Sequence, residues 1–354
     1  MIIFSPGPAN ITERVRQALT NPDIGHRESE FTDLLQETRT MLLEICGVPQ
    51  GYSCAVLSGS GTTGIEASIT SLADVSDGVL ILANGVYGER AAQVADVFQI
   101  PYTVEKMDWT APIALDRAEE LIYSTSHGAV YLIYHETTTG VLNSLKGVSE
   151  LAKAHGKWVL VDAVSGVAGE ELDLPNWGVD LVIGSANKCI RGVPGIGFVV
   201  VSDEFREAIS QRRPVAYSTD LVSTLNREEN GETPFTPPVQ TMYALREALR
   251  ELLEEGVSTR IARYQDIANT LRDGLAELEL SLLVPREHLS NTMTTVNLPK
   301  GLSYADLHKP LKEQDYLIYK SQGHLSDTTF RLGTVGVISQ EDVRGFLVAL
   351  GRLL

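Results

Sequence analysis

The chain has 354 residues, 43% of them hydrophobic, with 46 acidic against 29 basic residues and a net charge of -17. This length allows one large or two medium domains with a substantial core, and the acidic balance argues against nucleic acid or an anionic membrane as the main partner. No run approaches the roughly 18 apolar residues that a membrane helix needs. The first ten residues also lack the basic stretch and apolar core of a signal peptide.

Three cysteines, Cys46, Cys54 and Cys189, show no CxxC spacing, and their odd number argues against a disulfide scaffold. A reducing compartment fits this usage, so we expect a cytoplasmic protein. The sequence has no HxxxH motif and no Cys/His cluster, so no metal site is predicted.

Apolar runs alternate with amphipathic segments through the first 200 residues. Continuous apolar runs bounded by turn residues predict strands buried on both faces, and their alternation with helices predicts a mostly parallel, doubly wound α/β sheet. The predicted strands are 55–58, 79–82, 102–105, 129–134, a run ending at 162, 179–183 and 198–201. The predicted helices are 12–20, 30–45, 65–72, 90–98, 115–124 and 148–155.

Beyond residue 201 the chain is predicted to turn helical, then polar over 218–232. Long amphipathic helices are predicted at 239–255 and 258–278, followed by short strands and helices. We therefore expect a large domain over residues 1–255 and a smaller α+β domain over 256–354. Packing of the N-terminal residues 1–20 on the smaller domain is compatible with this division.

Residues 59–64 match GxGxxG between a predicted strand and helix, which is the pattern of a dinucleotide-binding loop. That function needs an acidic residue about 20 positions on, at the end of the next strand, to hold the ribose. The next strand ends in Ala-Asn-Gly at 83–85 instead, which disfavours a nicotinamide-dependent oxidoreductase. Small residues at a helix N-terminus still present N–H groups to a phosphate, and Ser60 and Thr62 add hydroxyl groups.

A carboxylate and a lysine follow two of the predicted strands. Asp162 ends one strand, and Lys188 comes shortly after the next, at the edge where open α/β sheets bind ligands. A desolvated lysine can form a Schiff base with an aldehyde cofactor, and an aspartate under a pyridine nitrogen keeps that nitrogen protonated. Lys320 is the rival lysine, but it lacks the strand-end aspartate and the glycine-rich bend.

Other positions could meet such a ligand. Tyr87, in a glycine-flanked segment after a strand, can stack on a flat ring. The threonines after the strand at 129–134 offer hydroxyl groups. Arg331, within a short apolar strand, presents a fork of donors suited to a carboxylate or a phosphonate. Each of these residues alone is equally compatible with ordinary packing, a turn or a structural salt bridge.

Together these pieces resemble the class V aminotransferases, enzymes of fold type I that use pyridoxal 5'-phosphate (PLP). The likeness covers essentially the whole chain. It is carried by SPGP at 5–8, LSGSGTTGIEA at 57–67, HETTTG at 135–140 and SANKCIRGVPG at 185–195, with DIGHRESEF at 23–31 and FRLG at 330–333 in support. The resemblance implies a large domain built on a mostly parallel, seven-stranded type of sheet between helices, with a smaller C-terminal α+β domain.

The resemblance also implies roles at individual positions. Lys188 would carry the cofactor, Asp162 would pair with its ring nitrogen, Tyr87 would stack on the ring and Arg331 would bind the acidic group of the substrate. The other implied cofactor contacts are Ser60, Gly61, Thr62, Thr137, Asn187 and Thr236. Relatives lend the threonine at the last of these positions to the neighbouring subunit, so a homodimer with shared sites is expected.

The implied activity is a ping-pong transfer of an amino group, and the likeness favours members that act on 2-aminoethylphosphonate and pyruvate. Two features leave the donor open. Tyr134 and His135 stand where many relatives have a histidine and a small residue, and His26 is similar to alanine:glyoxylate and serine:pyruvate aminotransferases, which are the alternatives. An NAD-dependent oxidoreductase is a remote alternative. A cysteine desulfurase is disfavoured because no cysteine follows Cys189.

Overall fold

The structure, a computed structural model, describes residues 1–354 and contains fourteen strands and thirteen α-helices. The strands are β1 (Ile2–Ile3), β2 (Tyr52–Gly59), β3 (Val79–Ala83), β4 (Tyr102–Lys106), β5 (Ala129–Ile133), β6 (His135–Glu136), β7 (Val141–Leu142), β8 (Trp158–Asp162), β9 (Leu181–Ser185), β10 (Gly195–Ser202), β11 (Met293–Asn297), β12 (Tyr316–Leu317), β13 (Tyr319–Lys320) and β14 (Thr329–Gly333). The helices are α1 (Glu13–Ala18), α2 (Ser29–Ile45), α3 (Gly61–Thr70), α4 (Val86–Val97), α5 (Leu115–Ser124), α6 (Leu145–Ala154), α7 (Leu174–Trp177), α8 (Asp203–Ile209), α9 (Leu221–Glu229), α10 (Val239–Glu255), α11 (Val257–Glu277), α12 (Tyr304–Glu313) and α13 (Gln340–Gly351).

Seven strands form the central sheet, in the spatial order β2-β10-β9-β8-β5-β3-β4. The neighbours from β9 to β4 are parallel, whereas β10 is antiparallel to both β2 and β9. Every residue of β3, β5 and β9 is buried, which explains why these strands read as continuous apolar runs. The predicted mostly parallel, seven-stranded α/β sheet is confirmed.

Successive side chains along each strand enter opposite faces of the sheet. On β5, Val130 and Leu132 join a cluster of 43 buried residues on one face. Tyr131 and Ile133 join a cluster of 27 on the other face. The sheet therefore separates two cores, and its strand ends lie at the edge of both.

A third cluster of 16 buried residues brings Phe4 together with residues between 267 and 350. It lies against the three-stranded antiparallel sheet β11-β14-β13, and β1 pairs in parallel with β12. Gly256 connects α10 to α11, at the predicted domain boundary, and the division into domains at this point stays a prediction. No helix of the protein is long and apolar enough to cross a membrane.

Two helices begin four residues earlier than predicted. Helix α3 begins at Gly61 rather than 65 because Ser60 and Thr63 form a reciprocal cap: Ser60 Oγ accepts the N–H of Thr62, and Thr63 Oγ1 accepts the N–H of Ser60. Helix α4 begins at Val86 rather than 90. Tyr87 therefore lies in the first turn of a helix, and the predicted glycine-flanked loop was wrong.

The polar stretch at 218–232 contains helix α9, which was not predicted. Asp220 caps it by accepting the N–H of Ser223 at 2.6 Å. Its buried face includes Leu221 and Leu225, and these two apolar residues in a polar stretch give too weak a periodic pattern to predict a helix.

Candidate active site

Asp162 and Lys188 meet at the carboxyl ends of two neighbouring parallel strands. Asp162 is the last residue of β8, and Lys188 follows the end of β9 by three residues. Both line a cavity of about 250 Å³. The Asp162 carboxylate is oriented by the N–H of Val164, which donates to Oδ1 at 2.9 Å. The strand-end placement expected for a ligand crevice is therefore present for both residues.

Eight of the ten site residues expected from the sequence line this one cavity. They are Ser60, Gly61, Thr62, Tyr87, Thr137, Asp162, Asn187 and Lys188. They come from loops, helix starts and a strand end that are far apart in sequence, and they meet because the parallel strands bring their carboxyl ends to the same edge of the sheet.

Burial shifts the pKa values of Lys188 and Asp162 in opposite directions. It lowers the pKa of Lys188 to about 8, although the neighbouring Asp162 acts against this shift. Burial also raises the pKa of Asp162 to about 6, opposed by the N–H of Val164 and by the charges of Arg90 and Lys188. At neutral pH the carboxylate is therefore mainly ionised, while a measurable fraction of the lysine is the neutral amine that nucleophilic chemistry requires.

Arg331 lies beside the cavity rather than in its lining. Its side chain is 4% exposed, and Nη1 donates to the carbonyl oxygen of Thr137 at 3.0 Å. Nε and Nη2 donate to the carbonyl oxygen of Lys320 at 3.2 and 3.0 Å. The rival Lys320 thus supports Arg331 with its backbone, while its own ammonium group pairs with Asp327 near the surface.

Thr236 is the one expected site residue that the single chain places away from the cavity. It is exposed and is not among the lining residues. It follows Phe235, whose ring is also exposed and lies 5.6 Å from the ring of Tyr217.

The cavity also contains Arg90, which the sequence did not indicate. Its guanidinium carbon lies 4.7 Å from the centre of the Tyr87 ring, and Nη1 donates to Thr62 Oγ1 at 3.4 Å. Tyr87 and Arg90 are three positions apart on α4, so their side chains share one face of the helix. A correct helix start at Val86 would have revealed this pairing.

His135 also lines the cavity, although the sequence did not assign it a site role. Its ring is buried, with Nδ1 3.2 Å from the carbonyl oxygen of Ser165 and Nε2 2.7 Å from Ser290 Oγ. A carbonyl oxygen can only accept, so Nδ1 carries the proton and the Ser290 hydroxyl donates to Nε2. Burial lowers the pKa of His135 to about 4, so this imidazole is neutral in the physiological range.

A larger cavity of about 400 Å³ lies between α2 and the segment 233–238, and its lining includes Ser58 and Thr63. It is lined by Phe31, Leu35 and Met242 among others, and by the acids Glu66 and Glu228, but by no basic residue. We assign the active site to the smaller cavity because only that one brings an acid, an amine and a helix N-terminus together.

Comparison with known proteins identifies the family. The model of the family "Aminotransferase class-V" matches residues 5–338, and the chain belongs to this family. It is a PLP-dependent transaminase with the architecture of fold type I.

Individual relatives cover nearly the whole chain. The 2-aminoethylphosphonate–pyruvate transaminase of Vibrio cholerae serotype O1 is 33% identical over 355 residues, which cover 99% of this chain and 96% of the relative. The enzyme of the same name from Bacillus cereus is 32% identical, with 99% and 97% covered. Among solved structures, the alanine–glyoxylate aminotransferase from Nostoc sp. superimposes with a TM-score of 0.94 at 28% identity, covering 99% of this chain and 94% of that one.

The residues of the cavity fit PLP chemically. The N-terminus of α3, with the hydroxyl groups of Ser60 and Thr62 and the adjacent Arg90, offers donors and positive charge suited to a phosphate group. The buried carboxylate of Asp162 suits a protonated pyridine nitrogen. Lys188 supplies the amine that meets the aldehyde.

Proposed function

We propose that this transaminase moves the amino group of 2-aminoethylphosphonate to pyruvate by a ping-pong mechanism. The observation that carries the proposal is the charge of the site: Lys188 and Arg90 line the cavity with a single acid, Asp162, and Arg331 lies beside it near Glu136, an excess of cations in a chain of net charge -17. Such an excess favours dianionic groups such as phosphate and phosphonate. The relatives from Vibrio and Bacillus are named for this donor.

Each residue of the site has a distinct task in this proposal. Bound PLP supplies an electron sink for the carbon that loses its proton. Lys188 Nζ, with a pKa of about 8, would take the proton from the donor carbon that bears the amino group and, as general acid, would deliver it to the former aldehyde carbon of PLP on the other side of the amine nitrogen. Asp162 holds a proton on the ring nitrogen. Tyr87 stacks on the ring.

The remaining contacts bind and orient the two anionic groups. Ser60, Gly61, Thr62 and Asn187 hold the phosphate, and Thr137 bonds the ring hydroxyl region. Arg331 directs the remaining donors of its fork, those not given to Thr137 and Lys320, towards the acidic group of the substrate.

We further propose a homodimer in which Thr236 of one subunit contacts the phosphate in the other. The exposure of this threonine and its distance from the cavity of its own chain support that arrangement. The division into a large domain over 1–255 and a small domain over 256–354 belongs to the same proposal. So does a cytoplasmic location, which the three free, buried cysteines support.

An alanine:glyoxylate or serine:pyruvate activity is the second candidate. The similarity to the alanine–glyoxylate aminotransferase from Nostoc sp. favours it. So does the guanidinium group of Arg331, since it suits a carboxylate as well as a phosphonate.

Half-reactions separate these candidates. The purified holoenzyme is mixed with 2-aminoethylphosphonate, L-alanine or L-serine, each alone, and the visible absorption of bound PLP is followed. Bleaching that is fastest with the phosphonate, followed by formation of alanine when pyruvate is added, is expected. Bleaching by serine or alanine with no response to the phosphonate would overturn the proposed donor and leave the transaminase class intact.

A further inference from the structure

Helix α4 begins without a capping side chain of its own. Its N-cap residue is Gly85, so the first N–H groups of the helix need acceptors from elsewhere. The N–H of Val86 donates to Thr138 Oγ1 at 3.1 Å, and the N–H of Tyr87 donates to Glu136 Oε2 at 3.3 Å. The start of the helix is therefore fixed by two residues that follow β5.

Glu136 uses both of its oxygens in this arrangement. Its side chain is fully buried, and Oε1 accepts the N–H of Thr138 at 2.9 Å while Oε2 accepts from Tyr87. The carboxylate lies directly on Gly85, where a β-carbon would stand 2.3 Å from Glu136 Cδ. Glycine at this position thus leaves room for the carboxyl group of Glu136 to reach the N-terminal end of the helix.

This contact bears on the active site because Tyr87 lines the cavity. Two side-chain torsions separate its ring from the backbone N–H that Glu136 accepts. Fixing that N–H restricts where the ring can lie. We propose that Glu136 is a positioning residue that holds Tyr87 against the cofactor ring. The inference rests on the proposed stacking of Tyr87 on PLP.

A binding measurement on four proteins tests this role. The dissociation constant of PLP from the apo-protein and the visible circular dichroism of bound PLP are measured for wild type, Glu136→Gln, Tyr87→Ala and the double variant. Glutamine has one acceptor oxygen where glutamate uses two, so Glu136→Gln leaves the N–H of Tyr87 or of Thr138 without a partner. We expect about tenfold weaker binding and reduced visible dichroism, with the double variant binding no more weakly than Tyr87→Ala alone.

Glu170→Gln is the matched control. Glu170 is also buried and accepts a backbone N–H, that of Asn291 at 2.6 Å, but Asn291, unlike Tyr87, does not line the cavity. The PLP dissociation constant of Glu170→Gln should equal that of wild type. If Glu136→Gln does not fold, Gly85→Ala replaces it, because the added methyl group displaces the carboxylate instead of removing it, and the same weakening is expected.

The outcomes are distinct. The role of Glu136 is overturned if Glu136→Gln binds PLP as wild type does while Tyr87→Ala binds it more weakly. It is also overturned if the double variant loses PLP affinity by the product of the two single losses. Wild-type binding by Tyr87→Ala overturns the proposed ring contact and the positioning role with it. The choice of amino donor is measured separately by the half-reactions and is untouched by either result.

Discussion

Gly7 lies against the side chain of Lys188, so closely that a β-carbon at Gly7 would stand 2.6 Å from Nζ and 2.5 Å from Cδ. The turn that carries Gly7 is held in place at both ends. The N–H of Gly7 donates to Ser5 Oγ at 2.9 Å, and the N–H of Ala9 donates to the carbonyl oxygen of Asn187 at 3.2 Å. The N-terminal turn therefore forms one wall around the lysine and contributes to its desolvation.

Replacing Gly7 by alanine should impair the lysine as well as the fold. The backbone φ of Gly7 is +137°, which costs a residue with a side chain about 1–3 kcal/mol, and the methyl group must also displace Lys188. We expect a lower midpoint of urea unfolding and at least a tenfold slower capture of PLP by the apo-protein.

Gly195→Ala is the control for backbone strain. Gly195 has a similar φ of +124°, but its β-carbon would meet only Thr241 at an ordinary 3.4 Å. This variant should lose stability while capturing PLP at the wild-type rate. Equal losses of capture in the two variants would show that strain, and not the contact with Lys188, is responsible.

The pH dependence of PLP capture should report the buried lysine. Only the neutral amine attacks an aldehyde, so the capture rate rises with pH as Lys188 loses its proton. Because burial lowers this pKa to about 8, the rate should level off above about pH 8, whereas an ordinary lysine would gain rate towards 10.5. Stopped-flow absorbance of the apo-protein between pH 6 and 10 measures this.

Two lysine variants test which lysine captures PLP. Lys188→Ala should keep the fold and lose both capture and turnover, whereas Lys320→Ala, at a surface lysine paired with Asp327, should keep both. Turnover at the wild-type rate by Lys188→Ala would refute its catalytic role.

The strands of the central sheet were predictable because they are buried on both faces, as the apolar runs of β3 and β5 and the largely apolar β9 indicate. The carboxyl ends of β8 and β9 also located Asp162 and Lys188. The start of α4 was not predictable from local sequence, because its acceptors are Glu136 and Thr138, about fifty residues further along the chain. Tertiary hydrogen bonds decided that boundary.

The same reason explains which site residues were missed. Arg90 lines the cavity because of the direction in which one face of α4 points. His135 lines it because its ring is held by a hydrogen bond with Ser290. Neither orientation is encoded in a short motif. The contact between Gly7 and Lys188 is likewise invisible in the sequence, although both residues belong to the segments that carry the family resemblance.

Asp162→Asn should damage both cofactor binding and rate. Asparagine can still accept the N–H of Val164, which now reaches Oδ1 at 2.9 Å, so the fold is expected to persist. It lacks the charge that stabilises a protonated ring nitrogen, and we expect kcat to fall about a hundredfold or more with weaker retention of PLP during dialysis. Wild-type values would show that another group lies under the ring.

Subunit mixing tests whether Thr236 serves the neighbouring active site. Thr236→Ala alone should weaken PLP binding, since the phosphate loses a hydrogen bond. In a dimer with shared sites, a hybrid of Lys188→Ala and Thr236→Ala subunits contains one site with both native residues. Unfolding, mixing and refolding the two variants should therefore restore activity above that of either variant alone.

The matched control for this mixing experiment places both substitutions in one chain. A hybrid of the double variant with wild type has one site without the lysine and one without the threonine, so every site of that hybrid is impaired. The activity per hybrid dimer is then compared between the two mixtures. A higher activity for the hybrid of Lys188→Ala and Thr236→Ala than for the hybrid of the double variant and wild type would support sharing across the interface. The reverse order would place Thr236 at the site of its own chain, and equal activities would mean that it serves neither.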